Sequence, residues 1–328
     1  MAAIETDSLT RQFGDVRAVD GLDLEVERGE VYGFLGPNGA GKSTTINILL
    51  GFLEPTAGEA TVLGTDVTDD GRSVRARMGV LPEGFEPYER LTGREHVSYA
   101  AELAGVDADA PALLDRVGLE REAWDRRAGG YSKGMAQRLA LGCALVGDPD
   151  LLVLDEPSSG LDPGGMAEMR ELIRTEAERG TTVFFSSHLL PEVEAVADRV
   201  GILADGELVA TGTLDELRAG TATRAPLRLD LAGVPDGLVA AVRDLPEVLS
   251  AEVEDGTLQT EVADPAVKVD VIQAVADRTD VEDVVAETPS LESMFAKYTN
   301  GDVEGDPDGP VAAATDATAA AADGGGDR

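Results

Sequence analysis

Short apolar runs, and runs in which apolar and polar residues alternate, predict a series of strands in the first two thirds of the chain. Residues 4–13 and 18–27 alternate around a Gly14-Asp15 turn, which predicts two strands of an N-terminal β-layer. Residues 31–35 form a continuous buried-strand pattern. Further strands are predicted at residues 59–63, 78–83, 150–157 and 181–188.

Apolar residues recur at helical spacing between these strands. Ile46, Leu49 and Leu50 lie on one face of a helix predicted over residues 44–52, which Gly51 and Pro55 end. Other helices are predicted over residues 92–104, 108–117, 120–126, 136–146 and 163–179. The alternation of strands and helices predicts an α/β fold that combines an N-terminal antiparallel β-layer, a parallel sheet and a helical subdomain.

The remainder of the chain has a different pattern. Strands are predicted at residues 227–231, 248–253, 257–262 and 281–286, with helices at residues 235–244 and 265–276. This βαββαβ order is that of a small ferredoxin-like α+β domain. Residues 300–328 are mostly Ala, Gly and Asp, a composition that predicts disorder. We therefore expect domains over residues 1–220 and 221–299, followed by an acidic tail over residues 300–328.

The chain is strongly acidic. Its 328 residues include 27 Lys and Arg against 63 Asp and Glu, which gives 27 − 63 = −36. Lysine is confined to Lys42, Lys133, Lys268 and Lys297. Such a surface suggests a halophilic-type protein adapted to molar salt, in which a Debye length of about 3 Å screens self-repulsion. A thermal scan should then show less cooperative unfolding in dilute buffer than in molar KCl. No basic patch is visible, which argues against a nucleic-acid partner.

Cysteine content and hydropathy suggest a compartment. Cys143 is the only cysteine, so no internal disulfide forms, and a reducing compartment is expected. The N-terminus lacks a basic region followed by an apolar one, and no apolar run approaches the roughly 20 residues that span a bilayer. The chain is therefore expected to be cytoplasmic and not itself integral to a membrane.

A phosphate-binding loop is predicted directly after the buried strand at residues 31–35. The sequence there matches G-x-x-x-x-G-K-[ST], in which backbone N–H groups cradle phosphates, the lysine reaches the β- and γ-phosphates and the Ser hydroxyl sits on Mg²⁺. A Gly-rich turn that matches by chance is the alternative, and the preceding strand argues against it. The loop consists of Gly36, Pro37, Asn38, Gly39, Ala40, Gly41, Lys42, Ser43 and Thr44.

Two carboxylates end the predicted strand at residues 150–157. Asp155 is placed to serve Mg²⁺ and Glu156 to act on an attacking water, although an apolar strand that ends in Asp-Glu is also found as an ordinary solvated strand end. His188 ends the next predicted strand, the position of a γ-phosphate sensor in parallel-sheet NTPases. The other histidine, His96, has no partner pattern and is assigned to the surface.

Taken together, these motifs resemble the ATP-binding cassette family, specifically the ATPase subunits of ABC-2 type exporters, over about residues 4–219. The resemblance implies that Phe13 stacks on adenine, that Glu156 polarises the hydrolytic water and that His188 contacts the γ-phosphate. It also implies that Asp162 lies at the contact between two cassettes. ATP and Mg²⁺ are the implied ligands, and the implied fold is the P-loop NTPase fold of the ABC ATPases.

The family signature, usually written L-S-G-G-Q, corresponds here to Tyr-Ser-Lys-Gly-Met at residues 131–135. Ser132 and Gly134 are retained, and in this family they meet the γ-phosphate bound by the opposite subunit, which implies a dimer with a second copy or a paralogue. The alternative is a simple helix cap at Ser132. Glu83 replaces the family's usual glutamine and is a candidate Mg²⁺ ligand. Residues 83–99 either face a membrane subunit or form a mobile polar surface.

The implied activity is ATP hydrolysis that drives a separately encoded membrane permease, most simply in export. This reading places the chain peripherally on the inner face of the cell membrane. An importer ATPase or a regulatory ABC ATPase remains the alternative. A translation ATPase would be expected to carry two phosphate loops, a repair ATPase a long coiled coil, and a hydrolysis-dead module would lack Glu156 or His188. The sequence has one phosphate loop, no sustained heptads, and both of those residues.

Overall fold

The computed structural model describes residues 2–221, 225–235, 237–254, 256–264 and 266–286. The sequence-based predictions of a closing helix at residues 289–295 and of a disordered tail at residues 300–328 lie outside these residues. Within them, the strands are β1 (Ala2–Phe13), β2 (Val16–Glu27), β3 (Val31–Leu35), β4 (Ala57–Val62), β5 (Thr65–Asp66), β6 (Met78–Leu81), β7 (Leu151–Asp155), β8 (Thr182–Ser187), β9 (Arg199–Ala204), β10 (Glu207–Thr213), β11 (Ala225–Leu231), β12 (Val248–Glu254), β13 (Thr257–Val262) and β14 (Val281–Ala286).

Most of the predicted helices are one or more residues shorter in the structure than the sequence pattern predicts. They are α1 (Lys42–Leu49), α2 (Gly71–Arg75), α3 (Gly93–Ala104), α4 (Ala110–Arg116), α5 (Arg121–Trp124), α6 (Lys133–Ala144), α7 (Pro163–Glu178), α8 (Leu190–Val196), α9 (Leu214–Thr221), α10 (Leu238–Arg243) and α11 (Val267–Ala276). No helix in the described part of the chain is long and apolar enough to cross a membrane. The chain divides into two compact units, the first running through Gly212 and the second beginning at Thr213.

A six-stranded sheet forms the centre of the first unit, in the order β10-β9-β3-β8-β7-β6. Strands β9, β3, β8, β7 and β6 pair in parallel. Every residue of β3, β7 and β8 is buried, which explains why these strands have continuous apolar runs. The carboxyl ends of these strands lie at one edge of the sheet. In register, Leu35 lies beside Ser187, and Asp155 lies beside Ser186.

The N-terminal β-layer is a four-stranded antiparallel sheet in the order β2-β1-β4-β5. Its alternating pattern reflects one buried face and one exposed face. Ile4, Leu22, Leu24 and Val26 are buried, and they join the core that also contains Phe34 and Phe184 of the six-stranded sheet. Because this core connects the two sheets, the β-layer packs against the sheet that carries the phosphate-binding loop.

His96 in α3 is buried, so its assignment to the surface is wrong. Its side chain is 4% exposed, and Nε2 accepts a hydrogen bond from the backbone N–H of Tyr88 at 2.9 Å. Nδ1 lies 2.7 Å from the carbonyl oxygen of Thr92. Since Nε2 accepts, the ring is the neutral tautomer that donates from Nδ1. The prediction failed because both partners are backbone groups, which leave no pattern in the sequence.

A buried ion pair connects α4 to α7. Glu176 is 1% exposed, and its Oε1 accepts a hydrogen bond from Nε of Arg116 at 2.8 Å. The Nη1 group of Arg116 also donates to Oδ1 of Asp148 at 2.8 Å. These hydrogen bonds, that to Glu176 above all, raise the pKa of Arg116. A charged contact therefore joins α4 to α7.

The described elements of the second unit that follow α9 are a strand, a helix, two strands, a helix and a strand, from β11 to β14. The sheet is antiparallel in the order β12-β13-β11-β14. Its core is a separate apolar cluster that includes Leu227, Leu229, Leu258, Val242 and Val271. Within the first unit, β5, α2, α8, β9 and β10 have no counterpart in the sequence-based prediction.

Candidate functional site

The loop between β3 and α1 has the conformation that its glycines permit. Gly39 and Gly41 have φ angles of 87° and 108°, in a region that favours glycine. A Cβ at Gly41 would lie 2.3 Å from the carbonyl oxygen of Ala18, and one at Gly36 would lie 2.6 Å from that of Leu203. No side chain caps the N-terminus of α1, so its first N–H groups are available to an anion.

Lys42 is held inside this loop. Its side chain is only 6% exposed, and Nζ donates hydrogen bonds to the carbonyl oxygens of Gly36 at 2.7 Å and Pro37 at 3.2 Å. Nζ also lies 3.3 Å from Oε1 of Glu156. The loop therefore fixes its cation opposite the carboxylate that follows β7.

Glu156 is a buried carboxylate with two different neighbours. Oε2 lies 2.8 Å from Nδ1 of His188, and Oε1, which faces Lys42, is buried without a hydrogen-bond partner among the described residues. The backbone of Glu156 has a φ angle of 49°, which is strained for a residue with a side chain. The strain, the burial and the unsatisfied oxygen together are typical of a functional site.

A cleft of about 310 Å³ lies between the loop and this carboxylate. Three of the predicted catalytic or metal-ligating residues, Ser43, Glu83 and Glu156, contribute to its wall. Phe13, His188 and Asp155 are not among the lining residues, and Asp155 is 8% exposed. The remaining lining residues are Ala18, Pro37, Asn38, Gly39, Gly41, Lys42 and Thr44.

Phe13 ends β1, and its ring is exposed. It is 47% accessible, and the guanidinium carbon of Arg11 lies 4.5 Å from the ring centroid. An exposed aromatic ring with a cation on one face leaves the other face free to stack on a flat ligand.

Ser132, Gly134 and Asp162 lie in a second cleft of about 540 Å³, away from the phosphate-binding loop. Oγ of Ser132 accepts the backbone N–H of Met135 at 3.3 Å and caps α6. Oδ1 of Asp162 accepts the backbone N–H of Gly165 at 2.8 Å and caps α7. None of the three lines the first cleft, so one chain does not bring all the predicted site residues together.

Two residues near the site were missed by the sequence-based prediction. Ser186 donates to Oδ1 of Asp155 at 2.6 Å and accepts the backbone N–H of Glu156 at 2.9 Å. Ser187 donates to Oε2 of Glu192 at 2.9 Å and accepts the backbone N–H of Leu189 at 3.0 Å. Their position just before His188 was the only signal available in the sequence.

Cys143 has no part in this chemistry. Burial raises the pKa of its thiol to about 12, so almost no thiolate nucleophile is present at neutral pH. No cluster of three or more His, Cys, Asp or Glu side chains in the described residues could hold a metal ion unaided. A metal at the first cleft would therefore take part of its ligand set from the bound molecule or from water.

Comparison with known proteins identifies the family. Residues 19–159 match the ABC transporter family model. A daunorubicin resistance ATP-binding protein of Streptomyces coeruleorubidus is 37% identical over 92% of this chain and 96% of its own length. A bacitracin transport ATP-binding protein of Bacillus licheniformis is 41% identical over 66% of this chain and 71% of its own length.

The fold agrees with this relationship. The solved dimeric structure of a bacterial ABC transporter cassette is 25% identical, with a TM-score of 0.59, and the match covers 64% of this chain and 98% of that chain. The fold and the relatives together identify an ATP-hydrolysing cassette. The chain belongs to the ABC transporter family, as one of its ATP-binding subunits.

Proposed function

We propose that ATP binds in the first cleft and that Glu156 activates the water that hydrolyses it. The observation that carries this proposal is the buried Oε1 of Glu156, which has no hydrogen-bond partner among the described residues and lies 3.3 Å from Nζ of Lys42. An acceptor left unsatisfied in this place is ready to take a proton from a bound water.

Each step of the reaction has a residue suited to it. Backbone N–H groups of the loop hold the phosphates, Lys42 neutralises their charge and Phe13 stacks on the adenine. The water oxygen forms a bond to the γ-phosphorus, the bond to the β–γ bridging oxygen breaks and ADP leaves with the electron pair. Glu156 takes the proton, while His188, 2.8 Å from its Oε2, holds the carboxylate and contacts the γ-phosphate.

Magnesium fits the oxygen atoms that are available here. Ser43, Asp155 and Glu83 would hold the ion through a hydroxyl and carboxylates, the hard ligands that it prefers. The small number of protein ligands suits an ion that keeps waters and takes phosphate oxygens. When bound, it neutralises charge on the β- and γ-phosphates.

A complete site requires two cassettes. The capped helix starts at Ser132 and Asp162, together with Gly134, lie in the second cleft, so a second copy or a paralogue would bring them to the ATP bound in the first cleft. The dimeric state of the related solved cassette supports this arrangement.

The chain drives a separate membrane permease and lies on the inner face of the membrane through that contact. Within residues 83–99, the rings of Tyr88 and Tyr99 are 62% and 42% exposed and lie edge to face, which suits a protein contact. Export is the direction that the relatives favour, because one confers daunorubicin resistance and another transports bacitracin. We infer an antibiotic-like compound as the substrate class.

Substitution of Glu156 by glutamine tests the assignment. Glu156→Gln keeps the shape of the side chain but removes the base, so ATP should bind, turnover should fall by roughly 100-fold or more and an ATP-bound dimer should accumulate. Steady-state phosphate release and size-exclusion chromatography with ATP would measure both effects. Glu178→Gln, on the exposed end of α7, is the matched control. Turnover by Glu156→Gln at the rate of the unmodified protein would contradict the assignment.

A further inference from the structure

Ser186 is a fully buried hydroxyl at the end of β8, with two hydrogen bonds that the reaction does not otherwise explain. It is 0% exposed, it donates to Oδ1 of Asp155 at 2.6 Å and it accepts the backbone N–H of Glu156 at 2.9 Å. One hydroxyl therefore contacts two consecutive residues that have different proposed roles, one at the metal and one at the water.

The geometry of Glu156 needs such a support. Its φ angle of 49° turns the chain sharply after β7, so that the Glu156 side chain enters the cleft. A strained conformation persists only where surrounding contacts over-determine it. The hydrogen bond from the Glu156 N–H to Ser186 is such a contact, made at the strained residue itself.

Ser186 also belongs to the strand that carries His188. Asp155 and Ser186 are in register across the β7–β8 pair, and His188 follows two residues later, with Nδ1 2.8 Å from Oε2 of Glu156. Strand β8 and the residue that follows it thus hold Glu156 at both ends, because Ser186 contacts its backbone and His188 contacts its carboxylate.

We propose that Ser186 is a positioning residue for ATP hydrolysis, whose hydroxyl fixes the orientations of Asp155 and Glu156. The proposal rests on the function proposed above. Ser186 does not line the first cleft, so it acts through its two neighbours and not on ATP itself. Loss of the hydroxyl should therefore lower kcat without a comparable change in KM for ATP.

The test compares Ser186→Ala with Thr6→Val. Thr6 is a matched control because its buried hydroxyl likewise donates once, to the carbonyl oxygen of Leu22 at 2.7 Å, and accepts once, from the Leu24 N–H at 2.9 Å, but in the N-terminal β-layer. Both variants should lose some thermal stability. Only Ser186→Ala should lose turnover, by roughly 10- to 100-fold, the usual cost of removing a partner that orients a ligating carboxylate. Ser186→Thr, which keeps the hydroxyl, should recover part of the loss.

A double substitution separates positioning from general damage. Because Ser186 acts partly through Glu156, Ser186→Ala should lower the single-turnover rate of Glu156→Gln by a smaller factor than it lowers that of the unmodified protein, and the remaining factor measures its action through Asp155. The proposal is overturned by an unchanged kcat, by a change confined to KM, by equal loss of turnover in Thr6→Val, or by a Ser186→Thr protein of normal Tm that recovers nothing. The proposed function would instead be refuted by an unmodified chain that does not hydrolyse ATP, or by a Glu156→Gln variant that hydrolyses it at the unmodified rate.

Discussion

The first unit buries charged side chains, whereas the second buries almost none. Among the described residues, Lys42, Asp155, Glu156, Glu176 and Glu192 are all less than 9% exposed, and all lie in the first unit. In the second unit the only buried polar side chain in the described residues is Thr260, within a cluster of Leu, Val and Ala. Burying a charge is costly unless it is paired, so a buried charged side chain indicates a structural or functional role.

We infer from this contrast that the two cores have different roles. We assign nucleotide binding and hydrolysis to charges at the edge of the six-stranded sheet, whereas the second core holds a small antiparallel sheet together. Substitutions in the second core should change stability alone. Substitutions among the buried charges of the first unit should change stability and activity in proportions that depend on their distance from the cleft.

The largest stability effect is expected in the second unit. Leu229→Ala removes a side chain that is 0% exposed and should cost about 2–5 kcal/mol, because it leaves a cavity. Hydrogen exchange should then increase in residues 225–286 and not in residues 31–187, with ATP turnover preserved. Val284→Ala, at a position that is 42% exposed, is the control. A parallel fall in turnover would break the proposed contrast.

A smaller effect is expected for the buried ion pair of the first unit. Glu176→Gln should cost about 2 kcal/mol, below the usual range for a broken buried pair because Arg116 is 17% exposed and keeps Asp148 as a partner. Chemical denaturation would measure it. Glu171→Gln removes the same charge from an exposed pair with Arg174 and should cost about 0.5 kcal/mol or less. Equal costs for the two variants would show that burial is not what matters.

The smallest effect concerns Cys143, a partly buried ionisable group with no charged partner among the described residues. Burial raises its pKa to about 12, above the ordinary value, so its contribution to stability is present below about pH 8.5 and is lost as the pH rises towards 12. The free energy of unfolding should therefore fall by about 1–2 kcal/mol between pH 8 and pH 10.

The rate of alkylation by iodoacetamide measures the same difference. The native thiol should react far more slowly at pH 8 than the thiol of the urea-unfolded chain, because its thiolate fraction is lower. Cys143→Ala should show no reaction and is the reagent control. Equal rates in the native and unfolded chains would show that the fold does not raise the pKa of the Cys143 thiol.

Much of the fold could be read from the sequence because its central elements carry a periodicity of their own. Strands β3 and β7 are almost entirely apolar and β8 has an apolar centre, and α3 and α7 begin close to their predicted positions, at Thr92 and Asp162 caps. By contrast, α8, β9 and β10 were missed. The helix has only seven residues, which is a short pattern to detect. Strands β9 and β10 flank an Asp205-Gly206 turn, a hairpin signal that the sequence-based prediction overlooked.

The candidate site could be predicted only as far as its motifs reach. The loop and the Asp155-Glu156 pair have fixed spacings, so their residues could be named from the sequence. The hydroxyl of Ser186 reaches Asp155 and Glu156 only because β7 and β8 pair in one register, and no residue near it in sequence indicates that register. The burial of His96 likewise depends on the backbone of Tyr88.

The left-handed backbone at Glu156 has a consequence for sequence drift. At most positions alanine is more stable than glycine by about 0.5–1 kcal/mol. At a φ angle of 49° the order should reverse, because a Cβ costs about 1–2 kcal/mol in this conformation. In a copy of this protein that no longer needs to hydrolyse ATP, replacement of Glu156 by glycine or asparagine should therefore give a more stable fold than replacement by alanine. Inactive relatives should then carry glycine or asparagine at this position more often than alanine.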